Sequence, residues 1–155
     1  MQITYIKGDA TNPTAEGNKI IVHICNDIGG WGKGFVMAIS KRWKKPEKDY
    51  RAWYQSKVNF ALGEVQFVKV EDQVWVANLI GQHKIKKDEY GGPPIRYEAI
   101  LAGLYKVGNL ALEINATIHM PRIGCGLAGG TWEKIEPLIN TSLIAKNILV
   151  TVYDF

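Results

Sequence analysis

Two kinds of apolar segment alternate along the chain, and this alternation limits the possible fold more than any other feature. Short segments rich in β-branched residues have the pattern of strands, and longer segments between them have the 3.6-residue period of helices. We predict six strands at residues 2–7, 20–25, 65–70, 74–79, 116–120 and 148–153. Helices are predicted at residues 35–43, at 46–56, from about 94 to 110 and at 131–145. Strands that alternate with helices predict an α/β fold around a mostly buried mixed sheet.

The size and composition of the chain fit one globular domain over residues 1–155. Apolar residues make up 46% and charged residues 22% of the 155 positions, which is ordinary for a globular protein. No apolar run reaches the ~20 residues of a membrane span and the N-terminal stretch has no signal-peptide pattern, so we expect no membrane partner. Cys25 and Cys125 lie far apart in sequence, which indicates neither a disulfide framework nor a zinc site and favours a cytoplasmic location.

Two glycine-rich segments stand in equivalent positions, each after a predicted strand and before a predicted helix. The first is Gly29-Gly30-Trp31-Gly32-Lys33-Gly34, and the second runs from Gly124 to Gly130. In this setting, free backbone N–H groups and a helix N-terminus bind phosphate. Ligands of open α/β sheets bind beyond the carboxyl ends of the strands, where both segments would lie. The segments therefore predict a site for two phosphates or one diphosphate, with simple tight turns as the alternative.

Neither segment is a common nucleotide motif. The first lacks the GxxxxGK[ST] order of a P-loop. The second spells GxGxxG, but a Rossmann site needs a longer α/β chain with an acidic residue at the end of the next strand. The net charge of +4 suits an anionic ligand and does not by itself indicate nucleic acid.

Four segments give the chain a family resemblance over its whole length. They are ITYIKGDAT at 3–11, HICNDIGGWGKGF at 23–35, MPRIGCGLAGG at 120–130 and TVYDF at 151–155. With these segments the sequence resembles a macrodomain, and it is similar to the small stand-alone branch that includes ADP-ribose-1''-phosphate phosphatases and glutamate-ADP-ribose hydrolases. The resemblance implies a three-layer α/β/α sandwich with a mixed six-stranded sheet and an ADP-ribose cleft at one end.

The resemblance also implies roles for individual residues. Asp9 would accept a hydrogen bond from the adenine amino group, or only close a turn after its strand. Asn26 would face the distal ribose, or serve its own turn. Trp31 would cover the distal end of the ligand or pack on its loop, and Tyr153 or Phe155 would stack on adenine or end the core strand. The implied ligand-binding set is Asp9, Ala10, Ile24, Asn26, Gly30, Trp31, Gly32, Lys33, Gly34, Phe35, Pro121, Ile123, Gly124, Cys125, Gly126, Leu127, Ala128, Tyr153 and Phe155.

The catalytic residues of the hydrolase branch are not all present. Members that cleave glutamate-linked or DNA-linked ADP-ribose use a lysine after the strand that corresponds to residues 74–79, and the glutamate-specific ones add an aspartate after GCGL. The aligned positions here are Gln82 and Ala128, although Lys84 lies two residues from the first. This difference counts against a lysine-dependent mechanism.

The phosphatase branch directs attention to histidines instead, because a histidine can activate water near neutral pH. The catalytic candidates are His23, at the end of a strand, Asn26, three residues later, and His83, in a loop. A satisfied core histidine is the alternative for His23 and for His83. We expect His119 to be structural, and Cys125 has no evident partner base to make it a nucleophile.

From these observations we expect a monomeric protein that binds ADP-ribose and hydrolyses ADP-ribose-1''-phosphate to ADP-ribose and phosphate. The alternatives are a module that reads ADP-ribose without chemistry and a hydrolase that removes ADP-ribose from protein or nucleic acid. The expected partners are ADP-ribose, its derivatives and ADP-ribosylated protein, and we do not expect nucleic acid as a binding partner. No cofactor is expected, and no metal, since His, Cys and carboxylates do not cluster at metal spacing.

Overall fold

All six predicted strands and all four predicted helices are confirmed by a computed structural model, which describes residues 1–155. In chain order the elements are β1 (Thr4–Lys7), β2 (Lys19–Asn26), α1 (Phe35–Arg42), α2 (Lys45–Ser56), β3 (Val65–Glu71), β4 (Val74–Gln82), α3 (Tyr97–Ile114), β5 (Thr117–Met120), α4 (Trp132–Ser142), a 3₁₀ turn (Ile144–Lys146) and β6 (Val150–Asp154). Some ends differ by a few residues: α3 begins at Tyr97, after the Pro93-Pro94 pair, and α4 ends at Ser142. None of the helices combines the length and the apolar character that crossing a membrane would require.

The strands form one mixed sheet in the order β1-β6-β5-β2-β4-β3. Every neighbouring pair is parallel except β3 and β4, which form the antiparallel hairpin that their short connection predicts. β2 is central and almost entirely buried, as its continuous apolar sequence predicts. The parallel strands β1, β2, β4, β5 and β6 therefore end at the same edge of the sheet, where the segments that follow them gather.

Helices cover both faces of the sheet, which confirms the three-layer architecture. Since side chains alternate along a strand, Ile20 and Val22 of β2 face α3 and α4, and Ile21 and Cys25 face α1 and α2. The larger core, on the α3–α4 side, contains 20 buried residues, and the smaller core, on the α1–α2 side, contains eight. The second core is built largely on Tyr50 and Trp31, so the first glycine-rich loop is anchored in it.

Candidate ligand-binding cleft

The two glycine-rich loops lie side by side at the carboxyl edge of the sheet. Loop A (residues 27–34) joins β2 to α1, and loop B (residues 121–131) joins β5 to α4. They approach each other at Gly34 and Leu127, because a Cβ atom on Gly34 would lie 3.5 Å from Leu127 Cδ1. The topology thus brings together two segments that are about 90 residues apart in sequence.

Both loops present backbone N–H groups that donate no hydrogen bond within the chain. In loop A and the first turn of α1 these are the N–H groups of residues 32–35, and in loop B they are those of residues 126–128. Gly34 is the N-cap of α1 and supplies no capping side chain, and the first turn has no acidic residue. The positive end of the helix dipole therefore adds to a row of free donors, which is an arrangement suited to phosphate oxygens.

Two glycines leave the surface of these loops open. At Gly32 and at Gly126, no atom lies within 4 Å of the position that a Cβ would take, and neither residue has a positive φ. Neither turning nor internal packing therefore requires glycine at these two positions. Gly124 differs, since its φ is 74° and a Cβ would lie 2.6 Å from Ile95 Cδ1. Gly124 is therefore needed for the shape of the loop. Gly32 and Gly126 instead leave the loop backbone accessible to a ligand.

A first cavity of about 600 Å³ opens on one side of the loops. The residues that line it come from the end of β1, from α1, from the start of loop B and from the C-terminus: Gly8, Asp9, Ala10, Thr11, Phe35, Ala38, Lys41, Arg42, Pro121, Tyr153 and Phe155. Six of these belong to the implied binding set. The other five were not predicted, although Lys41 and Arg42 belong to a basic cluster at residues 41–45 that could have indicated them.

Asp9 both closes a turn and faces this cavity. Its Oδ1 accepts hydrogen bonds from the Thr11 N–H (2.8 Å) and the Thr11 hydroxyl (2.7 Å), and its Oδ2 lies 3.6 Å from Arg42 Nη2. The Asp9 side chain is 45% exposed, so Oδ2 is accessible. Partial burial alone would raise the pKa of Asp9, but the contacts with Thr11 and Arg42 outweigh it and lower the pKa. Asp9 is therefore held as an ionised acceptor.

The two C-terminal aromatic residues have different roles. Tyr153 is buried, and its hydroxyl lies 2.7 Å from His119 Nδ1. Phe155 is fully exposed at the rim of the first cavity. Phe155 is thus the aromatic residue that can cover a flat ligand, and Tyr153 forms part of the floor of the cavity.

Two residues expected to face the ligand instead serve loop A. The side-chain amide of Asn26 is buried: its Oδ1 accepts from the N–H groups of Ile28 (3.0 Å) and Gly30 (2.9 Å), and its Nδ2 donates to the Gly30 carbonyl (2.9 Å). Trp31 is also buried, and its indole N–H donates to Ser40 Oγ at 2.7 Å. Of the two alternatives given for each residue, these contacts agree with the structural one: Asn26 serves its own turn and Trp31 packs on its loop, and neither side chain faces the cleft. Both side chains fix the shape of the loop.

His23 does not reach the cleft. It is 1% exposed, it packs edge-on against Trp31, and its Nε2 donates to Asn78 Oδ1 at 2.5 Å. Burial lowers the pKa of His23 to about 4, which the contact with Asn78 only partly offsets. This is the core histidine that the sequence analysis gave as the alternative, and a proton-transfer role does not fit its position. His119 is likewise buried, between Thr117 and Tyr153.

Several other residues of the implied set have buried side chains. Ala10, Ile123 and Ala128 are nearly inaccessible, so they can offer a ligand only backbone atoms. Ile24 packs against the larger core and is half-buried. Gly30 lies against the neighbouring loop, where a Cβ would be 2.9 Å from Ile85 Cδ1. Cys125 is half-buried, and burial raises the pKa of its thiol despite the nearby Arg122, which argues against a thiolate nucleophile.

A second cavity, of about 630 Å³, opens on the other side of the loops. His83 lines it, and His83 Nδ1 lies 2.7 Å from Asp27 Oδ2. Asp27 Oδ1 accepts from the backbone N–H of Lys84 at 2.7 Å, and Gln82 Nε2 donates to the Lys84 carbonyl at 2.8 Å. Lys84 adopts a left-handed conformation, with φ of 59°, and its exposed side chain lines the same cavity. Asp27 was not among the residues predicted for the site, because only the contact with His83 brings it there.

The chain corresponds to a small part of some curated relatives and to almost the whole length of others. No family model matches the sequence. Over 162 residues, the chain is 32% identical to a chromodomain-helicase-DNA-binding protein 1-like from Danio rerio, but it spans only 16% of that protein's length. It is 28% identical to an ADP-ribose 1''-phosphate phosphatase from Lodderomyces elongisporus, covering 90% of this chain and 92% of that protein. It is 29% identical to the ADP-ribose glycohydrolase OARD1 from Bos taurus, covering 98% and 91%.

Solved structures include more similar proteins. A protein of unknown function from Bacteroides thetaiotaomicron is 60% identical, with a TM-score of 0.99 over 100% of this chain and 99% of that one. A macrodomain protein from Streptomyces coelicolor is 54% identical, with a TM-score of 0.89 over 99% of both chains. Thermosipho africanus DarTG in complex with ADP-ribose is 19% identical, with a TM-score of 0.71 over 86% of this chain and 37% of that one, and shares the fold.

Proposed function

This chain belongs to the macrodomain family, and on that premise we propose that it binds ADP-ribose across loops A and B. The observation that carries the proposal is the two rows of free backbone N–H groups, at residues 32–35 and 126–128. Two rows on facing loops match the two phosphates of a diphosphate. Because Gly32 and Gly126 have no side chain, nothing at these positions covers the free N–H groups.

The first cavity would receive the adenosine end of the ligand. Asp9 offers an ionised acceptor for the adenine amino group, and Phe155 offers an exposed aromatic ring to stack on the base. Lys41 and Arg42 add positive charge to this cavity, which suits an anionic ligand. With adenosine in the first cavity and the diphosphate on the loops, the distal ribose would lie toward the second cavity.

The reaction we propose is hydrolysis of ADP-ribose-1''-phosphate to ADP-ribose and phosphate. Support comes from the relatives that carry this name and match over most of their length, such as the Lodderomyces elongisporus protein. The absence of the lysine and aspartate of the glutamate-specific branch, with Gln82 and Ala128 in their places, points in the same direction.

Two measurements test this function in order. Isothermal titration calorimetry in EDTA should give heat with ADP-ribose and with ADP, but much less with ribose-5-phosphate. Phosphate release should then be measured with ADP-ribose-1''-phosphate as substrate. Binding without phosphate release would indicate a module that binds ADP-ribose without catalysing a reaction. Absence of binding would overturn the whole proposal.

A second candidate function is removal of ADP-ribose from a macromolecule. The exposed Lys84 side chain favours it, because Lys84 lines the second cavity two residues after the aligned lysine position. The similarity to OARD1 agrees with this alternative. Release of ADP-ribose from labelled protein or DNA, abolished in Lys84→Ala but not in Lys48→Ala, an exposed lysine on α2 away from both cavities, would support it over the phosphatase reaction.

A further inference from the structure

The second cavity lies at the end of the loops opposite the first. It shares Ile28 with loop A. It adjoins loop B through Pro93, since a Cβ on Gly129 would lie 2.8 Å from Pro93 Cβ. The first cavity is lined by Pro121 of loop B and by Phe35, the first residue of α1 after loop A, on the other side of the loops. A ligand whose diphosphate lies on the loops therefore extends from one cavity into the other, and whatever is attached to its distal ribose enters the second.

Positive charge dominates this second cavity. Lys84, Lys86, Lys87 and Arg96 line it, against Asp88 and Glu89. Asp88 is occupied within its own loop, because its Oδ1 accepts from the N–H groups of Tyr90 (2.8 Å) and Gly92 (2.7 Å). The lysine ammonium groups form no hydrogen bond within the chain. The cavity thus suits an anionic group rather than a neutral or cationic one.

The pair formed by Asp27 and His83 stands at the edge of this cavity. The Asp27 carboxylate is only 16% exposed, and both of its oxygens are used, one by His83 Nδ1 and the other by the Lys84 N–H. The His83 ring is 44% exposed, and its Nε2 forms no hydrogen bond within the chain. A carboxylate that accepts from Nδ1–H fixes the tautomer in which Nε2 carries a lone pair.

We propose that the second cavity holds a phosphoryl group attached to the distal ribose, and that His83, oriented by Asp27, is the base that activates water there. This inference rests on the proposed hydrolysis and names the residues that perform it. His83 Nε2 takes a proton from water while the water oxygen bonds to phosphorus. The bond from phosphorus to the ribose 1'' oxygen breaks, and the proton on His83 passes to that oxygen. Asp27 does not touch the substrate and is a positioning residue.

Kinetics with ADP-ribose-1''-phosphate test the role of the pair. His83→Ala should lower kcat by about 100-fold with little change in KM, and added imidazole should restore part of the rate. Asp27→Asn should also lower kcat by about 100-fold with KM unchanged, because its amide N–H donates to Nδ1 and moves the ring proton to Nε2. Asp72→Asn, in the exposed turn between β3 and β4, is the matched control and should retain the wild-type kcat. Full activity in His83→Ala would overturn the role of the pair while leaving the hydrolysis intact.

Binding tests the cavity separately from turnover. ADP-ribose-1''-phosphate should bind His83→Ala at least ~10-fold more tightly than ADP-ribose does, and the Lys86→Ala/Lys87→Ala double variant should lose most of that difference while binding ADP-ribose normally. Equal affinity of the two ligands would overturn the assignment of the cavity. No turnover by the wild-type protein, with the phosphorylated ligand still preferred, would overturn the hydrolysis and the role of His83 but support the cavity. Preference for an ADP-ribosylated oligonucleotide over the phosphomonoester would overturn the assignment of a terminal phosphoryl group.

Discussion

Gly34 and Leu127 mark the point where the two glycine-rich loops meet, since a Cβ on Gly34 would lie 3.5 Å from Leu127 Cδ1. On either side of this contact, Gly32 and Gly126 face open space with unstrained backbones. The loops therefore contain glycines of two kinds, those that shape the loop and those that keep its surface bare. This difference can be measured.

Gly32→Val and Gly126→Val should weaken ADP-ribose binding without much loss of stability. The new side chain would cover free N–H donors and hinder a charge-assisted contact, so we expect a loss of about 2 kcal/mol or more in binding free energy. Calorimetry gives the affinity, and urea unfolding gives the stability.

Gly124→Val is the contrasting variant. Its φ of 74° and the 2.6 Å approach of a Cβ to Ile95 predict a loss of stability first. If Gly32→Val and Gly126→Val were clearly destabilised yet bound ADP-ribose normally while folded, these glycines would only be turn residues.

Asp9→Ala should weaken ADP-ribose binding by ~1.5–3 kcal/mol, the range for losing a hydrogen bond to a charged group. Affinity for ribose-5-phosphate or pyrophosphate should hardly change, because the carboxylate is proposed to contact only the adenine end. Thr11→Val is the control, since it removes the hydroxyl that bonds Asp9 Oδ1 but keeps the carboxylate. Equal losses for ligands with and without adenine would show that Asp9 only holds its turn.

Phe155→Ala should lower the affinity for ADP-ribose by about 1 kcal/mol through lost stacking, with no change in stability, because Phe155 is fully exposed. Tyr153→Phe should do the reverse. It removes the buried hydrogen bond to His119, so the free energy of unfolding should fall by about 1 kcal/mol while binding persists. Ligand titration and chemical unfolding of both variants measure these two effects. An unchanged affinity in Phe155→Ala would show that Phe155 does not contact the ligand.

The unfolding free energy should fall as the pH drops from about 6.5 to about 4. Burial lowers the pKa of His23 and of His119 to about 4, aided at His119 by Lys19. In this window the unfolded chain binds protons that the folded chain does not, so acid favours unfolding. Each histidine should contribute on the order of 3 kcal/mol.

Urea unfolding at several pH values measures this slope. His23→Leu should flatten the slope relative to the wild type, whatever its effect on stability at pH 7. A slope unchanged by this substitution would mean that His23 is protonated in the folded protein, and its place in the core would need revision.

Local patterns in the sequence were enough to predict the elements of the fold and the two loops. Continuous β-branched residues predict the buried β2, helical periodicity predicts α3, and glycines between a strand and a helix predict loops A and B. These signals are local, because the period of a segment and the freedom of a glycine backbone do not depend on distant residues.

The direction of each side chain in the site was decided only by the tertiary structure. Asn26 and Trp31 stand in the segment that we propose binds the ligand, yet contacts with Tyr50 and Ser40, on the helices that follow, turn their side chains into the loop. Asp27 becomes part of the site only because the parallel pairing of β2 and β4 brings it to His83, 56 residues away. A sequence pattern cannot supply such pairings, since burial and hydrogen bonding depend on which elements the fold places side by side.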